Sequence, residues 1–488
     1  MLNRLVILLF WFTVVEYPAI DAIAETHSTA MPSPKARITL ANAAELGDWQ
    51  AVLTGLSDGD QTHQPQADGM TALHWAVFHK NVEVINRLIG AKFDVNAVTR
   101  YRVTPLSIAC NDGDEAVIER LLNAGGDIGT KMPGGETLLM IASRTGRPGA
   151  VEWLLKSGAD PQATDRSGQS SLMWAAAEGN AEVIDVLVHA GADVNAALPS
   201  GFTAMMFAAR EGRIEAVDRL LAAGVDVNDV TKSKRSGERT PRQGTSALLF
   251  AVESGHYELA MHLVTKGADA NDQRSGFTPL HVVSWVRKPN SGDDPSGDPP
   301  PRGSGKMTDL QFVRAMVAAG ADVNARLEEG DGGRAILTPR GGTPLLYASR
   351  TADLELMNVL VELGADPLAA NVDGCTPIMA AAGVGVRAVN EEAGTEPEVL
   401  DAIDYLVGLG ADVNSVDKNQ ETVMHGAAYR NFPLVVQRLA NHGADSSRWD
   451  HKNKSGWTPM MIAQGKRPGS FKPSPDTVAA LQAAMTTH

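Results

Sequence analysis

The chain has 488 residues, 43% apolar and 21% charged, which is the balance of a folded protein rather than a disordered or fibrous one. Its net charge of −15 offers no overall attraction to phosphate backbones, which argues against non-specific nucleic-acid binding. Its two cysteines exclude a disulfide-rich scaffold and a Cys-rich zinc site.

The first segment reads as an export signal. Arg4 supplies a positive start, Leu5 to Val15 form an apolar run, and Glu16 and Pro18 close it. That run has the length of a signal-peptide core and falls short of the ~20 residues a spanning helix needs. Ala22-Ile23-Ala24 places small residues at the −3 and −1 positions of a cleavage site before Glu25. The expected organisation is a signal peptide at 1–24, a short linker at 25–36 and a single repeat domain at 37–488. No later stretch is long and apolar enough to span a membrane, so no membrane insertion is expected after cleavage.

A period then organises the rest. Asp94, Asp127, Asp160, Asp193 and Asp226 recur every 33 residues. Asp269, Asp322, Asp366, Asp412 and Asp445 continue the series at steps of 43, 53, 44, 46 and 33. Thr71, Thr104, Thr137, Ser170 and Thr203 stand 23 residues before the first five of these, and Ser246, Thr278, Thr343, Thr376, Thr422 and Thr458 extend the series. A fixed period of this size marks stacked repeats. Thr104-Pro105, Thr278-Pro279, Thr343-Pro344, Thr376-Pro377 and Thr458-Pro459 each put a hydroxyl at a helix N-cap and proline at the first helical position. Alanine sits five residues after every landmark, as at Ala76, Ala175 and Ala381, except that Val283 takes its place once. Gly113, Gly146, Gly179, Gly212 and Gly255 stand where a first helix would end in a left-handed turn. Val183, Ile184, Leu187 and Val188 show the spacing of a second amphipathic helix.

Asp373-Gly374-Cys375-Thr376-Pro377 and Gly410-Ala411-Asp412-Val413-Asn414 resemble the opening and close of an ankyrin repeat. The resemblance covers about 37 to 488. It implies an all-α repeat solenoid of helix–loop–helix units with β-hairpin fingers, about 12 units including caps. It also implies protein binding on a concave face built from fingers and first helices, with no catalysis by the repeats. The histidine in the fourth place of the family's usual Thr-Pro-Leu-His, three residues after the threonine, recurs only at His74, His281 and His425. Met140, Met173, Met206, Met379 and Met461 replace it elsewhere, and are read as adaptable packing rather than a metal path.

Four insertions interrupt the period. Residues 231–243 and 327–340 lengthen fingers, whereas 286–305 and 384–396 lengthen the turn between the two helices of a repeat. The resemblance puts these locations on opposite edges. The first insertion holds Lys232, Lys234, Arg235, Arg239 and Arg242 against one Glu238, a candidate contact for an acidic partner surface. The second, rich in Pro, Gly and Asp, is expected to be extended and mobile. Trp285 before it, and Arg100-Tyr101-Arg102 on the first full finger, complete the partner-binding candidates.

Catalytic motifs are weak. Gly303-Ser304-Gly305-Lys306 lacks the first glycine and the hydroxyl of a phosphate-binding loop, with Pro300 and Met307 in those places. The sequence contains no HExxH or GxSxG motif. Asp293, Asp294 and Asp298 lack EF-hand spacing. Cys110 and Cys375 lie seven repeats apart, roughly 60 Å at ~8–10 Å per layer, beyond disulfide reach. The expectation is therefore a monomeric, non-enzymatic, extracytoplasmic interaction module, periplasmic or secreted, with a protein partner and no cofactor or metal. The alternatives are a secreted effector, or an enzyme whose site is assembled from the insertions.

Overall fold

The computed structural model describes residues 39–57, 64–232, 242–289, 300–330, 337–386, 389, 392–467 and 472–486. The signal peptide and linker (1–36) fall outside them, as do Lys234, Arg235 and Arg239. Regular structure among the described residues is 25 helices and no strand. They fall into two compact units that divide after Asp226.

The first unit contains α1 (Leu40–Glu45), α2 (Trp49–Ser57), α3 (Ala72–Phe78), α4 (Val82–Gly90), α5 (Pro105–Asp112), α6 (Glu115–Asn123), α7 (Leu138–Ser143), α8 (Pro148–Lys156), α9 (Ser171–Glu178), α10 (Ala181–His189), α11 (Ala204–Arg210) and α12 (Ile214–Ala222). First helices pack in a row, α1 on α3, then α5, α7, α9 and α11, and each is backed by its own second helix. The small residue five places after each cap is what lets first helices approach, and Ala76, Ala142, Ala175 and Ala208 are all fully buried. Val183, Ile184 and Leu187 bury the inward stripe of α10 in the same way.

The second unit contains α13 (Ala247–Glu253), α14 (Tyr257–Thr265), α15 (Pro279–Arg287), α16 (Asp309–Ala318), α17 (Pro344–Arg350), α18 (Leu354–Glu362), α19 (Pro377–Ala382), α20 (Glu396–Gly408), α21 (Val423–Arg430), α22 (Pro433–Asn441), α23 (Ser446–Trp449), α24 (Pro459–Ala463) and α25 (Pro475–Thr486). Here α13, α15, α17, α19, α21 and α24 form the row of first helices. Val283 takes the usual alanine slot in α15 and is itself fully buried.

Threonine or serine caps the first helix of each full repeat, and proline follows at Thr104, Thr278, Thr343, Thr376 and Thr458. Gly113 and Gly179 end α5 and α9 in the left-handed region, at φ of 64° and 84°. The fingers are less sheet-like than the expected hairpins. Their bases carry single antiparallel bridges, Lys131 to Thr137, Thr164 to Ser170, Ala197 to Thr203 and Val230 to Ser246. Turn residues leave no length for a ladder. Two insertions also meet across the repeat. A Cβ on Gly385, in the lengthened turn after α19, would lie 2.5 Å from the Leu337 backbone nitrogen of the long finger. The expectation of opposite edges describes where these segments leave the repeat, but not where they end.

Candidate functional site

Positions four and seven after each cap lie on one side of the first helix, because a helix returns to the same face after three or four residues. In the first unit this inner face carries arginines against aromatic rings. The Arg144 guanidinium lies 6.0 Å from the Trp174 ring centroid, and its Nη2 donates to Asn111 Oδ1 at 2.8 Å. Arg210 lies 5.2 Å from both Phe202 and Phe207, whose rings meet edge to face at 4.7 Å. Arg210 also pairs with Glu211 at 2.9 Å. Arg144, Trp174 and Arg210 keep part of their surface in solvent. Such amphipathic, pre-positioned groups dominate protein interfaces.

The first full finger holds the Arg100, Tyr101 and Arg102 candidates. Arg100 stacks 4.6 Å from the Tyr101 ring and donates to its hydroxyl at 2.5 Å. Tyr101 is 40% exposed. The Arg100 amide donates to Asp68 O on the finger before, and Arg102 Nε to Lys131 O on the finger after. The backbone thereby fixes this side-chain group between neighbouring fingers.

In the second unit, Arg242 and Trp285 come together. Arg242 pairs with Glu253 and lies 5.2 Å from Phe277 and 5.7 Å from Trp285. Phe277 meets Trp285 edge to face at 5.0 Å, and Tyr347 stands behind at 6.3 Å. The Trp285 indole nitrogen is buried and has no hydrogen-bond partner. The described part of the basic finger is therefore more neutral than its composition suggests. Arg242 turns back onto Glu253, and Lys232 pairs with Asp229 at 3.1 Å.

The 286–305 insertion departs from expectation where it is described. Residues 300–305 dock on the preceding repeat instead of standing extended in solvent: the Ser304 amide donates to His256 Nδ1 at 2.8 Å, and the amides of Lys306 and Met307 donate to Glu258 Oε1 at 2.6 and 3.2 Å. Two of the backbone N–H groups that a phosphate would need at Gly303–Lys306, those of Ser304 and Lys306, thus already serve a histidine and a carboxylate of this chain.

Two polar features escaped the sequence reading. Asn96, Asn228, Asn271, Asn324 and Asn414, with Gln162 in the same slot, each accept from the next repeat's aspartate amide and donate to the carbonyl of the glycine two residues before that aspartate. Their signal was visible as a recurring Asn or Gln two residues after the landmark aspartate. The second feature is a buried group between α21 and the next finger. Glu421 accepts from Tyr429 Oη at 2.9 Å and Asn453 Nδ2 at 2.8 Å, while its Oε2 has no partner. Burial pushes the Glu421 carboxyl up to about 7 and raises Asp417 beside it. Asp417 and Asn453 each stand five residues before a cap, but the sequence does not mark that Glu421 would be buried against Tyr429 and Asn453.

His74, His281 and His425 are wholly buried. Nδ1 of each lies within 2.9 Å of its cap hydroxyl, and Nε2 lies 3.2 Å from the carbonyl before the next repeat's cap, at Val103, Gly342 and Trp457. Met140, Met173, Met206 and Met379 are buried in the same slot, whereas Met461 is partly exposed. Cys110 and Cys375 are buried free thiols, which burial makes harder to ionise. Among the described residues no group of three or more His, Cys, Asp or Glu is placed to hold a metal ion. No described helix is long and apolar enough to cross a membrane.

Stacked helix pairs with short fingers, joined by cap histidines and finger amides, define a helical repeat protein. The family described as "Ankyrin repeats (3 copies)" matches residues 40–132, 73–165, 106–197, 139–231, 206–289 and 393–472, and "Ankyrin repeat" matches 340–372. The chain belongs to the ankyrin-repeat family, whose repeats generally mediate protein–protein interaction. Among curated proteins it is similar to alpha-latrocrustotoxin-Lt1a of Latrodectus tredecimguttatus, with 32% identity over 123 residues. That match covers 25% of this chain and 8% of the toxin.

Proposed function

We propose that this chain is an exported, monomeric, non-enzymatic interaction module that binds a partner protein through the concave face formed by fingers and first helices. The observation that carries this reading is the recurrence of arginine on aromatic rings in each unit: Arg100 on Tyr101, Arg144 on Trp174 and Arg210 on Phe202 and Phe207 in the first, and Arg242 on Phe277 and Trp285 in the second. Arginine and large aromatics supply most of the energy at protein interfaces. Export rests on Arg4, the Leu5–Val15 run and Ala22-Ile23-Ala24. Lys232, Lys234, Arg235 and Arg239 add a run of positive charge to the sequence of an acidic chain. The short match to the toxin supports the shared repeats and does not bring its activity to this chain.

The test is affinity capture from the extracytoplasmic fraction of the host, with the chain starting at Glu25. Two variants accompany it, one lacking 231–243 and one with Tyr101→Ala. An enriched protein lost from either variant places the contact on that finger. Capture equal in both variants removes both fingers from the reading, and no enrichment at all sinks the extracytoplasmic scaffold and favours an effector acting on foreign cells.

A further inference from the structure

Three first helices end on an arginine seven residues after the cap: Arg144 after Thr137, Arg210 after Thr203 and Arg350 after Thr343. Two of these arginines already hold a carboxylate of this chain. Arg210 pairs with Glu211 at 2.9 Å. Arg350 pairs with the buried Glu392. Both cases show the chemistry that this slot takes. The planar fork of a guanidinium matches a carboxylate and binds it through charge-assisted hydrogen bonds.

Arg144 is the exception. Among the described residues no carboxylate pairs with it. Glu136, one residue before the cap of α7, has a buried Oε2 and makes no ion pair with Arg144. The guanidinium is nevertheless fixed from both neighbouring repeats. Its Nη2 donates to Asn111 Oδ1 of α5 at 2.8 Å, and it lies 6.0 Å from the ring centroid of Trp174 in α9. Nε and Nη1 make no hydrogen bond among the described residues, and neither is buried. Arg144 keeps part of its surface in solvent. The same slot of α9 holds Ala177, whose methyl is too short to cover the guanidinium. A cation that is held in place with donors to spare gives up little side-chain freedom when an anion arrives.

We propose that Arg144 receives a carboxylate of the partner, so that the protein segment bound on the inner face of α5, α7 and α9 carries an aspartate or glutamate seated beside Asn111 and Trp174. The inference rests on the interaction-module reading and names the chemistry of its partner. A phage-displayed library of random dodecapeptides is selected on the full chain, and the recovered sequences are titrated as free labelled peptides. They should share an aspartate or glutamate at one position. Changing that residue to its amide should weaken binding about tenfold or more, as loss of a charge-assisted hydrogen bond does. Arg144→Gln should weaken the acidic peptide by a similar factor and leave the amide peptide unchanged, so that the two losses do not add. Far-UV circular dichroism verifies that the helices of Arg144→Gln persist, and the amide peptide reads the same contact on the unaltered chain. Recovered peptides with no shared acidic residue, or an acidic residue whose loss adds to that of Arg144→Gln, overturn the carboxylate inference and leave the interaction module standing. Recovery of no binding peptide overturns both.

Discussion

At the scale of single residues, one slot in the repeat decides how tightly neighbours are tied. Where histidine fills it, the ring joins its own cap hydroxyl to the next repeat's carbonyl. Where methionine fills it, packing remains and the cross-link is lost. His281→Ala should therefore cost ~2–4 kcal/mol, since it empties a core site and leaves Gly342 O without this partner. Urea unfolding checks this, and a loss under 1 kcal/mol would show that the cross-link contributes little. Glu421 makes the opposite bargain. Its carboxyl is buried and pushed up to about 7, against an ordinary value of 4.5. The folded state therefore holds this proton more tightly, and the resulting stability is present below about pH 4.5 and lost as pH rises through 7. Glu421→Gln keeps the shape without the charge. It should melt close to the parent at pH 5 and above it at pH 8, by roughly 2–4 kcal/mol of stability. A gap between the two that does not change with pH would show that Glu421 does not titrate in that window.

At the scale of elements, most of the helices were readable because caps, prolines and glycines act through local backbone geometry. Thr395 and Glu398 form a reciprocal cap that starts α20 inside the insertion and extends it to 13 residues, where second helices of the first unit have nine. The alanine slot can be tested directly. Ala175 in α9 is fully buried between α7 and α11. Ala175→Leu should overpack that contact and cost ~1–3 kcal/mol, read as a lower melting temperature of the first unit. Unchanged melting would mean that the first helices have room to separate. The fingers are minimal hairpins, closed at four of their bases by a single antiparallel bridge. Their residue pattern announces a turn, but the number of paired residues depends on where the neighbouring finger lies.

For the whole molecule, the acid response follows from a few buried groups. Burial holds His74, His281 and His425 down to about 4, so each stays neutral in the folded chain. The unfolded chain takes up these protons near pH 6.5, so their contribution is complete above that pH and lost as pH falls towards 4. Glu421 works the other way over the same window, and three groups outweigh one. Melting temperature should therefore fall between pH 7 and pH 5, and a rise would place these histidines in contact with solvent. Arg100, Tyr101, Arg102, Arg242 and Trp285 could all be named from residue type, but only the structure shows that Arg100 stacks on Tyr101 and that Arg242, on a different finger, reaches Trp285. By itself the sequence determined the repeat, its helix boundaries, its caps and the positions of its insertions, because each depends on interactions within a few dozen residues of a regular period. Only the tertiary structure decided what the insertions cover. Leu337 meets Gly385, and Arg350 meets Glu392, through contacts between segments that follow no period, where burial and charge pairing depend on how the chain folds back on itself.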